Sequence, residues 1–229
     1  CGLGTVGSGV LSVLQNNSDI IREKSSCLIH VTHVATRNTN HGCNVENIQF
    51  SKDIFEVARD SDIDLVVELI GGTSSALELV MLAISNGKHV VTANKALIAE
   101  HGTSILQAAY EANVIVAFEA SVAGGIPILK SIREGLVANK INWLAGIING
   151  TTNFILSEMS SKGRSFESVL EEAQKRGYAE ADPTFDIEGI DASQKLSILT
   201  SMSFGMTLPL DHLFTEGITE IPLKDVYFA

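Results

Sequence analysis

Between residues 28 and 118 short apolar runs alternate with helical patterns, and this alternation constrains the fold more than any other feature of the chain. Residues 28–36 (LIHVTHVAT) are rich in β-branched side chains and read as a strand. Residues 64–69 (DLVVEL) form a second apolar run, closed by Gly71-Gly72. Over residues 73–86, Leu77, Val80, Met81 and Ile84 recur at helical spacing, and Gly87 stands where a helix C-terminal glycine belongs. A strand over 89–93 (HVVTA), a helix over 104–112 and a strand over 114–118 (VIVAF) continue the series. Strand, helix, strand at such short spacing predicts an α/β domain, a parallel sheet with crossover helices.

The second half changes character. The pattern predicts a helix over 126–137 with Pro127 in its first turn, where proline is tolerated. A strand over 141–148 follows, then helices over 152–161 and 166–176, an acidic stretch over 180–191 and a long helix over 190–204. The boundary is expected near Ala120, giving domains at 1–120 and 121–229, the second of α+β type.

Composition removes several function classes. Apolar residues make up 45 % and charged residues 19 %, which is a core-forming balance. There are 27 acidic and 16 basic residues, a net charge of −11, so a nucleic-acid partner is excluded. No apolar run approaches the ~18–20 residues of a membrane helix, so no membrane partner is expected. Cys1, Cys27 and Cys43 contain no CxxC pair and read as reduced thiols in a cytoplasmic compartment. The chain opens on Cys1-Gly2 without a methionine, so a leader is not judged from it.

Gly2-Leu3-Gly4-Thr5-Val6-Gly7 matches G-x-G-x-x-G, with Val10, Leu11 and Leu14 following at helical spacing. Glycines there permit a tight turn and close approach of backbone to a pyrophosphate, and the helix N-terminus offers it free N–H groups. The alternative is a glycine-rich turn without a ligand. A nicotinamide site that prefers NAD ends its second strand on an acid that holds the ribose 2′-hydroxyl. This chain has Ala35-Thr36-Arg37-Asn38 instead. Arg37 suits a 2′-phosphate or the adenine face, which favours NADP over NAD, against an ordinary surface arginine.

Two lysines carry candidate chemistry. Glu180, Asp182, Asp186, Glu188 and Asp191 precede Lys195 with no base among them, an array that would draw a substrate ammonium. Asp191 and Lys195 are spaced i, i+4 and share a helix face. A lysine held by a carboxylate can protonate a developing alkoxide. The blander alternatives are a solvated acidic loop and a surface ion pair of ~0.3–0.5 kcal/mol. Asn94-Lys95 follows directly on the strand at 89–93, at the strand end where ligands of open parallel sheets sit.

Taken together, GLGTVG, VVELIGGT, VVTANKALIA, FEASVAGGIPI, NGTTNFIL, GYAEADPTFDIEGIDASQKLSIL and the late EGI resemble homoserine dehydrogenases over nearly the whole chain. The resemblance implies a Rossmann-type domain followed by a substrate and dimerisation domain. It implies NAD(P)-dependent interconversion of L-homoserine and L-aspartate 4-semialdehyde, in threonine and methionine biosynthesis, by a homodimer or larger homo-oligomer acting on small molecules. By the same resemblance Lys195 exchanges a proton with the substrate oxygen and Lys95 lies between substrate and nicotinamide. Asp191, Asp186 and Glu180 hold homoserine, Glu180 facing its ammonium, with Thr151 close by. Gly2, Gly4, Thr5, Val6, Gly7, Arg37, Thr73, Lys95 and Gly177 are implied to meet the cofactor. A monovalent cation, sodium in most of the family, is implied at Glu119, Val122, Gly124 and Ile126. Three of these lack an acidic side chain, so backbone carbonyls would serve a weakly held hard cation.

The chemistry of rival enzymes fits less well. Thioester-forming semialdehyde dehydrogenases need a cysteine near the domain junction, whereas all three cysteines fall in the first half. His30, His33, His41, His89, His101 and His212 carry no supporting motif and are expected to be structural. The family has a strand before the glycine loop and further elements after Ala229, so the chain is expected to be a segment of a longer protein. A mass well above 24.5 kDa would show this. The alternatives kept open are a non-catalytic NADP-binding module and a reductase of another amino-acid-like aldehyde.

Overall fold

A first helix, α1 (Thr5–Asn16), rises directly from the glycine loop and buries Gly7 and Leu11. A short α2 (Ser18–Ser25) follows and ends on Ser26 in the left-handed region. In the computed structural model, residues 1–37, 48–207 and 210–228 are described, so Asn38, His41 and Cys43 lie outside the described residues. The chain divides into two compact units, residues 1–125 and 126–229.

In the first unit, β1 (His33–Ala35) pairs in parallel with β2 (Gln49–Ser51), His33 opposite Gln49. After α3 (Ile54–Arg59), β3 (Leu65–Glu68), β4 (His89–Thr92) and β5 (Val116–Ala117) form a parallel sheet in the order β3-β4-β5. The crossovers are α4 (Ser74–Ser85) and α5 (Lys95–Glu111). Parallel strands bury both faces, which is why Val66 and Val90 are nearly inaccessible between helices carrying Leu79, Val80, Leu97, Ile98 and Ile105. Each such side chain contributes about 1.5–3 kcal/mol by leaving water.

Cys1 and Gly2 lie between the two sheets. Cys1 N donates to Val67 O at 2.7 Å, and Leu69 N–H donates to Cys1 O at 2.9 Å. Gly2 N–H donates to Ala35 O at 2.8 Å. The glycine loop is thereby tied to the C-terminal ends of β1 and β3, the edge where ligands of such sheets bind. At the opposite edge Lys88 is buried, and its ammonium donates to Asp60 O and Ile63 O at 2.5 and 2.7 Å.

The second unit is mostly helical: α6 (Ile128–Lys130), α7 (Gly150–Lys162), α8 (Phe166–Lys175), α9 (Thr184–Ile187), α10 (Ile190–Phe204) and α11 (Leu223–Phe228). Its core gathers Ile155 and Met159 of α7, Val169 and Ala173 of α8, and Ala179 and Ile187. Among the described residues no helix is long and apolar enough to cross a membrane.

Four expectations are corrected. The strand read over 28–36 shrinks to β1, because Leu28 and Ile29 are exposed and the ladder with β2 begins only at His33. The helix read from 104 starts at Lys95, since the Asn94 side chain caps it and Gly102 is buried within it. The helix read over 126–137 is α6 followed by a widened turn, Ser131–Gly135, after which Val137 is exposed. The strand read over 141–148 is absent: the segment is irregular, with Trp143 and Ile147 at 76 % and 79 % exposure. A strand exists only through a ladder of backbone hydrogen bonds to a neighbouring strand, and no such ladder is made there among the described residues.

Candidate active site

The three loop glycines have three different surroundings. A Cβ on Gly2, whose φ is +89°, would lie 2.4 Å from Leu69 O. One on Gly7 would lie 2.1 Å from Gly2 O. Gly4 has nothing within 4 Å. The outer glycines therefore permit the tight turn and the close packing of α1, and the middle one leaves open space beside the helix N-terminus. That is the division of labour a pyrophosphate cradle requires. Thr5 and Val6 are exposed on the first turn of α1, and Arg37 is exposed just beyond β1.

A buried polar network shapes the neighbouring loops. Glu68, fully buried at the end of β3, accepts from the Thr92 hydroxyl at 2.5 Å and from Ile70 N–H at 2.8 Å. Thr92 Oγ1 accepts from Asn94 N–H at 2.9 Å. The Asn94 side chain then caps α5 through Leu97 N–H and donates to Gly72 O at 2.6 Å. Lys95, half-buried, is the first residue of α5, so its backbone is fixed from both sides. Gly71 and Gly72 both have positive φ and lead into Thr73, which precedes α4. Glu119 opens a single tight turn, Glu119–Ser121, followed by the fully buried Val122 and by Gly124. Ile126, the first residue of the second unit, accepts from Ile128 N–H at 2.8 Å through its carbonyl. Among the described residues no group of three or more His, Cys, Asp or Glu side chains could hold a metal.

In the second unit α10 places its acid and its lysine as the i, i+4 spacing requires. Lys195 Nζ donates to Asp191 Oδ2 at 2.7 Å and to Ile148 O at 2.8 Å. Asp191 is 4 % exposed and the Lys195 side chain 20 %, so this is not a solvated surface pair. The Asn149 amide joins Asp186 to the cluster, donating to Asp186 Oδ1 at 2.7 Å and to Asp191 Oδ2 at 2.8 Å. Its Oδ1 caps α7 through Thr152 N–H at 2.8 Å. Thr151, also buried, donates its hydroxyl to Tyr178 O at 2.8 Å. Gly150, Thr151, Phe154, Gly177 and Tyr178 line an open hollow of about 530 Å³. Phe154 and Tyr178 meet edge to face at 5.1 Å.

The acidic stretch does not act as one array. Glu180 is exposed and stands outside the hydrogen-bonded cluster. Asp182 turns back on Thr184, accepting from its hydroxyl at 2.6 Å and its N–H at 3.1 Å, which holds its carboxyl below the usual range. Gly189, φ +77°, starts α10, and a Cβ there would meet Glu216 O at 2.9 Å. Ile218 N–H donates to Ile187 O at 2.7 Å, so the late EGI segment is clamped against the start of α10. Two histidines are structural: His89 Nδ1 accepts from Ile115 N–H at 3.0 Å, and His33 Nε2 lies 3.3 Å from Asp60 Oδ2.

The sequence reading did not single out Asn149, Tyr178 or Glu68. Asn149 carried one legible signal, an asparagine directly before a helical pattern, where N-caps belong. Its bonds to carboxylates many positions away were not legible.

Two family models match the chain in succession: the homoserine dehydrogenase NAD-binding domain over residues 2–119 and homoserine dehydrogenase over 127–229. A homoserine dehydrogenase of Pseudomonas aeruginosa is 59 % identical over all of this chain, which covers 53 % of that protein. The crystal structure of a homoserine dehydrogenase from Thiobacillus denitrificans matches with a TM-score of 0.93 at 53 % identity, over 99 % of this chain and 53 % of that one. A hyperthermophilic archaeal homoserine dehydrogenase, solved in complex with NADPH, matches with a TM-score of 0.74 at 26 % identity, over 96 % of this chain and 73 % of that one. The chain spans about half the length of the curated relatives it matches. With a Rossmann-like unit over its first half, a buried lysine–aspartate pair within its second, and family models matching both halves, the chain belongs to the homoserine dehydrogenase family.

Proposed function

We propose that this protein interconverts L-homoserine and L-aspartate 4-semialdehyde with NAD(P)(H), in the biosynthesis of threonine and methionine. The observation that carries the reading is the buried contact between Lys195 and Asp191. Interconversion of an alcohol and an aldehyde needs one hydride and one proton; the nicotinamide cofactor supplies or accepts the hydride when bound. The protein must then align the substrate and manage the proton.

Lys195 is the proton donor to the carbonyl oxygen in reduction and the acceptor in oxidation. Asp191 holds it in place and, with Asp186 and Glu180, binds the substrate, Glu180 meeting the ammonium. Thr151 sits beside the substrate. Gly2, Gly4, Thr5, Val6 and Gly7 cradle the pyrophosphate, which the open space at Gly4 fits. Arg37 meets the 2′-phosphate of NADP, the preferred cofactor, and Thr73 and Gly177 border it. Lys95 stands between substrate and nicotinamide. The first domain, 1–120, holds cofactor and the second, 121–229, holds substrate and dimerises. The exposed Trp143 and Ile147 favour a homo-oligomer that covers them. A sodium ion at Glu119, Val122, Gly124 and Ile126 belongs to the same reading, through backbone carbonyls. So does a cytoplasmic location.

The test is a steady-state assay of aspartate semialdehyde reduction with NADPH and with NADH, alongside a semialdehyde lacking the ammonium. Turnover that needs the ammonium, and that runs at lower KM with NADPH, is expected. Cofactor binding without turnover would instead leave a binding module.

A further inference from the structure

The structure assigns Asn149 the task of holding Asp186 and Asp191 side by side, and so of aiming Lys195. This rests on Lys195 being the proton-handling group.

Asn149 is 7 % exposed, and its side chain is engaged on every side. An amide offers two N–H donors and a carbonyl acceptor. One N–H goes to Asp186 Oδ1, the other to Asp191 Oδ2, and the carbonyl to Thr152 N–H. Two carboxylates on different helices are thereby bonded to one nitrogen. Like charges so placed repel, and the shared donor on Asn149 offsets that repulsion where the two carboxylates meet. A lysine or arginine in that place would neutralise them, whereas an amide leaves their negative potential to act on the ammonium of Lys195.

The geometry carries the effect further. Asp191 Oδ2 accepts from both Asn149 and Lys195, so the amide fixes the oxygen on which the ammonium rests. The other anchor of that ammonium is Ile148 O, the carbonyl immediately before Asn149. Asn149 therefore bonds one partner of Lys195 and adjoins the other in the chain. Among the described residues, hydrogen bonds place Asp191 of α10 against the ammonium and, through Asn149, Asp186 of α9.

A simpler role, capping α7 alone, makes a different prediction, and two variants separate them. Asn149→Ser keeps an N-cap acceptor for Thr152 but has a single hydrogen to give. Asn149→Asp keeps the cap and adds a third carboxylate beside the pair. Crystal structures of the two variants read where Asp186, Asp191 and Lys195 Nζ sit without any turnover. Melting temperature reads the loss of the shared donor, since both variants keep the cap, and kcat against the NADPH KM reads positioning.

In both variants Lys195 Nζ is expected to leave Asp191 Oδ2, and kcat is expected to fall tenfold or more. Melting temperature should fall in both although the cap is kept, most in Asn149→Asp, because buried carboxylates are left together without their shared donor. NADPH KM should stay close to wild type. Either variant that folds suffices. Wild-type melting temperature with Lys195 still on Asp191, or wild-type kcat in Asn149→Ser, would reduce Asn149 to a cap. If the wild-type protein itself turns over no semialdehyde, the functional reading falls, and the melting temperatures and structures of the variants still decide the clamp.

Discussion

Lys195 Nζ rests 2.7 Å from Asp191 Oδ2, one turn back on the same face of α10, with the carboxylate almost wholly out of solvent. A buried carboxylate gives an adjacent ammonium a charge-assisted hydrogen bond and a fixed aim. Asp191→Asn removes that charge while preserving shape. We expect kcat to fall by about 10²-fold, in the range of lost acid–base catalysis. Retained kcat with only a raised substrate KM would limit Asp191 to binding.

The loop glycines make opposite predictions. Gly7→Ala drives a Cβ to 2.1 Å from Gly2 O, between two backbone segments that have no room to give, so poor folding is expected. Gly4→Ala meets nothing within 4 Å, so the chain should melt as wild type does. It should nevertheless bind NADPH about tenfold or more weakly, because the added methyl occupies the space the pyrophosphate approaches. Calorimetric NADPH affinity equal to wild type in Gly4→Ala would contradict the cradle.

Glu68 is a buried carboxylate with two donors aimed at it, Thr92 and Ile70 N–H. Glu68→Gln exchanges one acceptor for an N–H and leaves one of those partners unsatisfied. Urea denaturation should show a loss of about 1–3 kcal/mol, the usual cost of orphaning a buried polar group. An unchanged midpoint would show that the network relaxes freely.

The Thr184 hydroxyl, with help from its N–H, holds the Asp182 carboxyl below its ordinary pKa of 3.8. A carboxyl depressed in the fold contributes stability above its unfolded pKa, and that contribution disappears as pH falls through the folded value. Thr184→Val removes the larger cause and should move the Asp182 titration, followed by NMR, up toward 3.8. No movement would assign the shift to the backbone N–H instead.

What the sequence discloses divides along local and non-local lines. The long helix is legible in full, since apolar spacing sets its body and Gly189 and Gly205 take up left-handed φ at its two ends. The parallel pairing of β3, β4 and β5 is likewise legible from apolar runs separated by helical patterns. β2 escapes because Gln49 and Phe50 are exposed and the strand spans three residues. The run at 141–148 misleads because apolar content supplies the propensity for a strand but not the partner. In the candidate site, the Asp191–Lys195 pair follows from helical period alone. The clamp at Asn149 reaches 37 and 42 positions along the chain, which no local pattern encodes.

The central claim is that Lys195 moves the proton. Lys195→Met keeps much of the stem and removes the ammonium, and NADPH oxidation with aspartate semialdehyde measures the effect. We predict kcat reduced by 10²-fold or more, with NADPH affinity unchanged, within the range of lost acid–base catalysis. A variant that turns over the semialdehyde at the wild-type rate would contradict the account.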